Sequence, residues 1–238
     1  MADQRFKPDT LHPSYAEYIS EWERIEDAAA GEAAVKSKKG GRAYLTPTMG
    51  MSSLEFKLYV HLARFLPAIG KTLQAYNCLI HRKAGVFSGT ENIPEDVLMK
   101  LTNNFSRKGE TLEDFAEILT DNYSKFKRGG ALTEYPEVKE QPRTLKELEE
   151  LNRLPYARFF NAKQIINWRT STEASGRLVL EFVIIKLVSE IEDPDNEFAT
   201  KEQAQYYILD LVKQTGQEKL VYRKRLATKV DDEWQIEE

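Results

Sequence analysis

Chemistry in this 238-residue chain would have to come from three histidines, one cysteine, two acidic clusters, a few glycine pairs and one basic stretch. His12 precedes Pro13, a place where an imidazole caps or packs. His61 falls in Leu58-Tyr59-Val60-His61 and reads as a surface or edge residue. His81 lies beside Arg82 and Lys83, which disfavour a further positive charge. None has a His or Cys partner at metal-ligand spacing, so no metal site is expected. Cys78 lacks the tight glycine turn of a reactive thiol and reads as a small buried hydrophobe on a helix. No serine occupies a nucleophile elbow. Gly40-Gly41, Gly85 to Gly89 and Gly129-Gly130 lack the following Lys-Ser or Lys-Thr of a phosphate cradle, so no nucleotide cofactor is expected. The clusters Glu140, Glu147, Glu149, Glu150 and Glu190, Glu192, Asp193, Asp195 stand in polar context, the second at a turn marked by Pro194 and Asn196. They read as solvated carboxylates, without the burial that tunes a catalytic pair. The expectation is a chain with no catalytic, cofactor-binding or metal-binding residue and no enzymatic activity.

One constellation survives as a contact site for DNA or a protein partner: Lys219, Arg223, Lys224 and Arg225. In a strand, Lys219, Val221, Arg223 and Arg225 share one face, and Leu220, Tyr222, Lys224 and Leu226 the other. The sharp reading is a basic stripe for DNA or an acidic neighbour. The plain one is a solvent face balanced across the hairpin by Asp210, Asp231 and Asp232.

The elements that must position these residues divide the chain in two. Tyr15, Tyr18, Ile19, Trp22, Ile25 and Ala29 recur at helical spacing, with Ser14 and Glu17 as a capping box and Gly31 as a stop. Lys36 to Arg42 reads as a mobile, solvated linker. Ser52 and Glu55 open a second helix whose apolar face is Leu54, Leu58, Leu62, Phe65 and Leu66. Pro67 kinks it before Ile69, Leu73, Tyr76 and Ile80. Pro94 starts a helix with Val97, Leu98, Leu101 and Phe105. Thr111 and Asp114 cap another, with Leu112, Phe115, Leu119 and Tyr123 inward. Thr144 and Glu147 cap a brief one, and Asn161 with Gln164 starts one more through Trp168. From residue 155 the signal turns to β. Arg177 to Glu190 is a near-continuous apolar run, expected as a central strand with both faces covered. Gln205 to Lys213 and Lys219 to Thr228 follow about Thr215-Gly216, and Trp234 and Ile236 add a last strand. The expected fold is α+β: a mainly helical part over 1–154 packed on an antiparallel meander over 155–238, both parts of one structural unit.

Composition limits the classes further. With 41% hydrophobic and 30% charged residues and a mean hydropathy of -0.54, the chain fits a soluble globular protein. Val179 to Val188, its longest apolar run, is too short for a membrane helix and is interrupted by Glu181 and Lys186. The polar N-terminus (Asp3, Arg5, Lys7, Asp9) lacks the apolar core of a secretory signal, and a single cysteine fits a cytoplasmic origin. A net charge of -4 and a pI near 5.6 argue against a dedicated nucleic-acid binder. They are compatible with a protein that surrounds DNA without gripping it.

Taken in order, the motifs resemble one family. His12-Pro13-x-Tyr15, Trp22, Gly31-Glu32-x-x-Val35-Lys36 and Gly41-Arg42-x-Tyr44-Leu45-x-Pro47 are similar to the opening of tailed-phage portal proteins, in the branch long catalogued as a domain of unknown function. Leu62-Ala63-Arg64-Phe65, Arg82-Lys83-x-Gly85-Val86-Phe87, Ile93-Pro94 and Gly109-x-Thr111-Leu112-x-x-Phe115-Ala116 continue the likeness. The most specific piece is Leu154-Pro155-Tyr156-Ala157-Arg158-Phe159-Phe160-Asn161-Ala162, followed by Ile165-Ile166-Asn167-Trp168. Leu187-x-x-Glu190, Phe198 and Gln205-Tyr206-Tyr207-Ile208-Leu209 close it. The loops at Arg82-Lys83 and Gly129 to Pro136 depart from the pattern, and no role is carried to them. The resemblance implies a virion structural protein, present in the host cytoplasm during assembly. It would be one subunit of a homo-oligomeric ring, usually a dodecamer, at the portal vertex of the capsid. Double-stranded DNA is threaded through such a ring by a separate terminase, and head–tail connector proteins dock below it. It also implies that this chain is the outer wing portion, a fragment or truncated product, since the stem and clip come later in longer chains.

Overall fold

The computed structural model describes residues 6–86, 88–135, 144, 154–172, 176–193, 196–213, 220–230 and 233–237. Helices come first: α1 (Pro13–Ala30), α2 (Glu32–Ser37), α3 (Ser53–Leu62), α4 (Ala68–Ile80), α5 (Glu95–Asn103) and α6 (Leu112–Phe126), with a 3-10 turn over Lys38–Gly41. Strands β1 (Gly129–Glu134) and β2 (Tyr156–Asn161) form a two-stranded sheet. Strands β3 (Ile165–Thr172), β4 (Leu178–Asp193), β5 (Asn196–Lys213), β6 (Leu220–Val230) and β7 (Glu233–Glu237) form a five-stranded antiparallel meander in sequence order. The fold is α+β, with the helices N-terminal and the meander C-terminal. The chain forms two compact units, Ser20–Phe159 and Met1–Ile19 with Phe160–Glu238. Where composition divides the sequence near residue 155, the units divide at 159/160, and the first nineteen residues join the sheet. Apart from Thr144 itself, the helix expected at Thr144 to Leu151 lies outside the described residues, as does the turn at Thr215-Gly216.

In the helical unit the caps follow the sequence. Ser52 Oγ accepts from Glu55 N (3.3 Å) while Glu55 Oε2 accepts from Ser52 N (2.7 Å). Thr111 and Asp114 do the same at 3.1 and 2.9 Å. Each exchange satisfies amides at a helix start that have no partner within the helix. The faces do not all follow. On α6, Phe115 is 3% exposed and meets Phe105 edge-on at 5.1 Å, although Tyr123 of the expected face is exposed. On α3 the expectation is wrong. Phe56 and Val60 are buried, while Leu54, Leu58, Leu62 and the following Leu66 are 78%, 57%, 65% and 80% exposed. On α4 no residue is buried, and Ile69, Tyr76, Leu79 and Ile80 are exposed. Cys78 is exposed as well, contrary to the expected buried thiol.

The stretch Lys36 to Arg42 is not the expected solvated linker. Lys36 bonds Glu32 at 2.6 Å, and Lys38 bonds Asp27 at 2.7 Å and Glu23 at 3.3 Å. Gly41 has φ +84°, and a Cβ there would come within 2.8 Å of both Val60 methyls. Only glycine permits that turn to close against α3.

In the sheet unit, Pro13 is the first residue of α1, where a missing amide costs nothing. The cap is His12, not the expected Ser14: the His12 carbonyl accepts from Tyr15 N (2.9 Å), and its Nδ1 accepts from Ser14 N (3.1 Å). The same imidazole stacks on Trp168 at 3.8 Å, and Asn167 Nδ2 donates to the Thr10 carbonyl at 2.9 Å. Asn161 to Trp168 is not a helix. Asn161 Oδ1 accepts from Lys163 N and Gln164 N (both 3.0 Å), and Gln164 Oε1 accepts from Asn161 N (2.9 Å). This reciprocal pair imitates a helix cap but closes the turn from β2 to β3, and the β-branched Ile165 and Ile166 then extend as strand. On β4 only Val183, Ile184 and Ile185 are buried in succession, so both faces are covered there and not along the whole strand. Strand β4 runs past the expected end at Glu190 to take in Glu192 and Asp193, which the sequence places at a turn, and Asp193 pairs with Lys201 of β5 at 2.8 Å.

Candidate functional site

The basic stretch lies on β6, paired along its length with β5. Register places Arg223 opposite Asp210, Lys224 opposite Leu209 and Arg225 opposite Ile208. The alternation read from the sequence therefore holds for these three, while Lys219 lies outside the described residues. Arg223 Nη2 meets Asp210 Oδ2 at 2.6 Å, and Arg225 Nη2 meets Asp210 Oδ1 at 3.3 Å. One carboxylate thus serves two guanidinium groups. Lys224 takes the opposite face, its ammonium 4.6 Å from the centre of the Tyr207 ring. The balancing role expected of Asp210 is present. Asp231 and Asp232 fall outside the described residues.

Beside the arginines runs an open cleft of about 350 Å³. Its floor is Phe182, Ile184 and Ile208, and Phe6 to Pro8 form one wall. Arg169 of β3 holds Glu181 of β4 through two bonds, at 2.8 and 2.9 Å. Arg225 lies 6.0 Å from the Phe6 ring centre, and its buried Nε has no hydrogen-bond partner among the described residues. The Arg169–Glu181 pair carries no sequence signal, because it follows from a strand register that the eleven intervening residues do not disclose. The wall residue Phe6 is equally silent, meeting Trp234 edge-on at 6.4 Å across most of the chain's length.

Chemically the cleft offers arginines with their countercharges and an apolar floor. No Ser, Cys or His lines it, and no group of three His, Cys, Asp or Glu gathers anywhere among the described residues in a way that would hold a metal. The three histidines are separate. His12 caps α1, the His61 carbonyl accepts from Lys36 (3.0 Å), and His81 Nε2 lies 2.9 Å from Thr120 Oγ1.

A separate cluster of perturbed titratable groups lies in the helical unit. The Tyr44 hydroxyl donates to Asp27, which also holds Lys38. Burial first, and then Asp27, pushes the Tyr44 hydroxyl above its ordinary value. The Asp27 hydrogen bond raises Lys38. These groups fasten the 3-10 turn to α1. No described helix is long and apolar enough to cross a membrane. Comparison of the sequence with models of protein families and with curated proteins finds no match.

Proposed function

We propose that this chain is a structural subunit of a tailed-phage portal ring, the wing portion of an assembly through which double-stranded DNA passes, and that it has no active site of its own. The observation that carries the subunit reading is the uncovered apolar surface of α3 and α4. A surface helix normally turns its apolar stripe inward, yet four leucines at and after α3 face outward and α4 buries nothing. Such a surface is a site of association. The portal assignment itself rests on the order and spacing of the motifs from His12-Pro13 to Gln205-Tyr206-Tyr207. In this reading terminase, capsid and head–tail connector proteins are the partners, and the virion is the location.

A nucleic-acid-binding module built on Lys219, Arg223, Lys224 and Arg225 is the competing reading. The sharing of Asp210 by two of its arginines weighs against it, because phosphate contact would have to displace an existing ion pair. Electron microscopy of the full chain should show closed rings. Persistent monomers, together with salt-dependent DNA binding abolished by neutralising the four basic residues, would favour the module instead.

A further inference from the structure

Two exposed surfaces of this chain are opposite in charge, and each carries exposed apolar side chains. The first is a ribbon. Strand β3 parts from β4 after Ile165 meets Ile185, with Lys186 N still donating to the Gln164 carbonyl at 2.7 Å. Strand β6 parts from β5 at the pair Gln205–Thr228. Beyond those points β4 and β5 continue together as far as Asp193 and Asn196, a two-stranded arm on the order of 25 Å long. No described strand runs along either of its outer edges. On one face Val188, Glu190 and Glu192 lie across from Ala204, Glu202 and Thr200. Glu190 directly opposes Glu202, an unfavourable pairing of like charges, and no described cation forms an ion pair with any of the three glutamates. Val188 is 58% exposed and Phe198, near the tip, 89%.

The second surface is the α3–α4 face. From Ser53 to Lys83 the sequence holds five Lys and Arg and one carboxylate, Glu55, which is engaged in its capping box. Of the five cations only Arg64 reaches a described acid, Glu32 at 3.8 Å. Each large side chain at this exposure presents on the order of 100 Å² of apolar surface. The four leucines and the four large apolar residues of α4 thus expose on the order of 800 Å² in total over the two helices.

Resting on the subunit reading above, we propose that the β4–β5 ribbon of one copy lies on the α3–α4 face of a neighbouring copy. Glu190, Glu192 and Glu202 meet Lys57, Arg64 and Lys71 around a seam of Val188 and Phe198 against the leucines. Helix α4 has no buried residue of its own, and the neighbouring copy supplies cover to its exposed apolar side chains. Because the two surfaces differ, the contact is head-to-tail. It propagates into a ring or an open chain and not into a two-fold dimer.

The exposed native Cys78 supplies the probe. Thr200→Cys in the full chain should give, on mild oxidation, a ladder of covalent oligomers on a non-reducing gel. Thr200→Cys/Cys78→Ser mixed with the unaltered chain should give a cross-linked dimer that neither protein forms alone. Glu190→Lys/Glu202→Lys should reduce the oligomer fraction in light scattering at least tenfold with the circular dichroism unchanged, and Lys57→Glu/Lys71→Glu in the partner should restore it. Cross-links confined within single chains, or oligomers indifferent to these substitutions, would overturn the ribbon contact. Closed rings seen without the ladder leave the portal reading standing and sink only this contact. A ladder of open chains without rings does the reverse.

Discussion

Helices α3 and α6 begin alike and end up differently buried. Each opens with a hydroxyl cap and a carboxylate three residues on, with both reciprocal bonds formed. Yet α6 buries Phe115 of the stripe its periodicity singles out, while α3 turns its leucine stripe outward and buries Phe56 and Val60. A cap is decided within four residues, so its geometry is independent of what lies across the helix. Burial is decided by what else the chain places nearby. In α3 the nearby structure is the turn at Gly41, whose missing side chain leaves room for Val60.

The contrast breaks most visibly when buried and exposed members of the two stripes are truncated. Phe115→Ala and Phe56→Ala should each cost about 3–5 kcal/mol in urea unfolding. Leu58→Ala should change the stability of the unassociated chain by less than about 0.5 kcal/mol. A cost at Leu58 matching that at Phe56 in dilute, monomeric protein would mean that the leucine stripe, not Phe56, faces the core. The caps should behave as a matched pair with a smaller effect. Ser52→Ala and Thr111→Ala should each cost about 1 kcal/mol in the same assay, whichever way the helix behind them faces. Unequal costs would tie cap strength to burial.

The same division between local and distant determinants governs what the sequence discloses. Both capping boxes, the strands over β4 to β7, and the alternation of Arg223, Lys224 and Arg225 were readable because each rests on neighbours or on a simple period. The Asn161–Gln164 pair misleads for the same reason: reciprocal side-chain bonds across three residues suit a helix start and a tight turn equally, and only the β-branched run that follows decides. Lys38 with Asp27 and Arg169 with Glu181 were not readable, since they stand eleven and twelve positions apart and only the completed packing or register brings them together. The reach of β4 and β5 past their neighbours was hidden too. Its charged residues, Glu190 and Glu192, have the composition of a loop, and strand pairing overrides that composition.

The smallest effect is electrostatic and tests the matched caps once more. The Ser52 backbone amide, and then its side chain, hold the Glu55 carboxyl below its ordinary value, and Thr111 does the same to Asp114. A carboxyl whose value is depressed on folding stabilises the native state fully above its unfolded value, about 4. That contribution is lost as pH falls through the lower, folded value. Glu55→Gln and Asp114→Asn keep a hydrogen-bonding side chain and remove only the charge. Their melting temperatures should therefore lie slightly below that of the unaltered chain at pH 7 and converge with it near pH 2. Both carboxylates are fully exposed, so added salt should also shrink the difference at pH 7. A gap that persists at low pH would assign the effect to lost cap geometry in place of charge, and a gap for one helix alone would show that the caps are not equivalent.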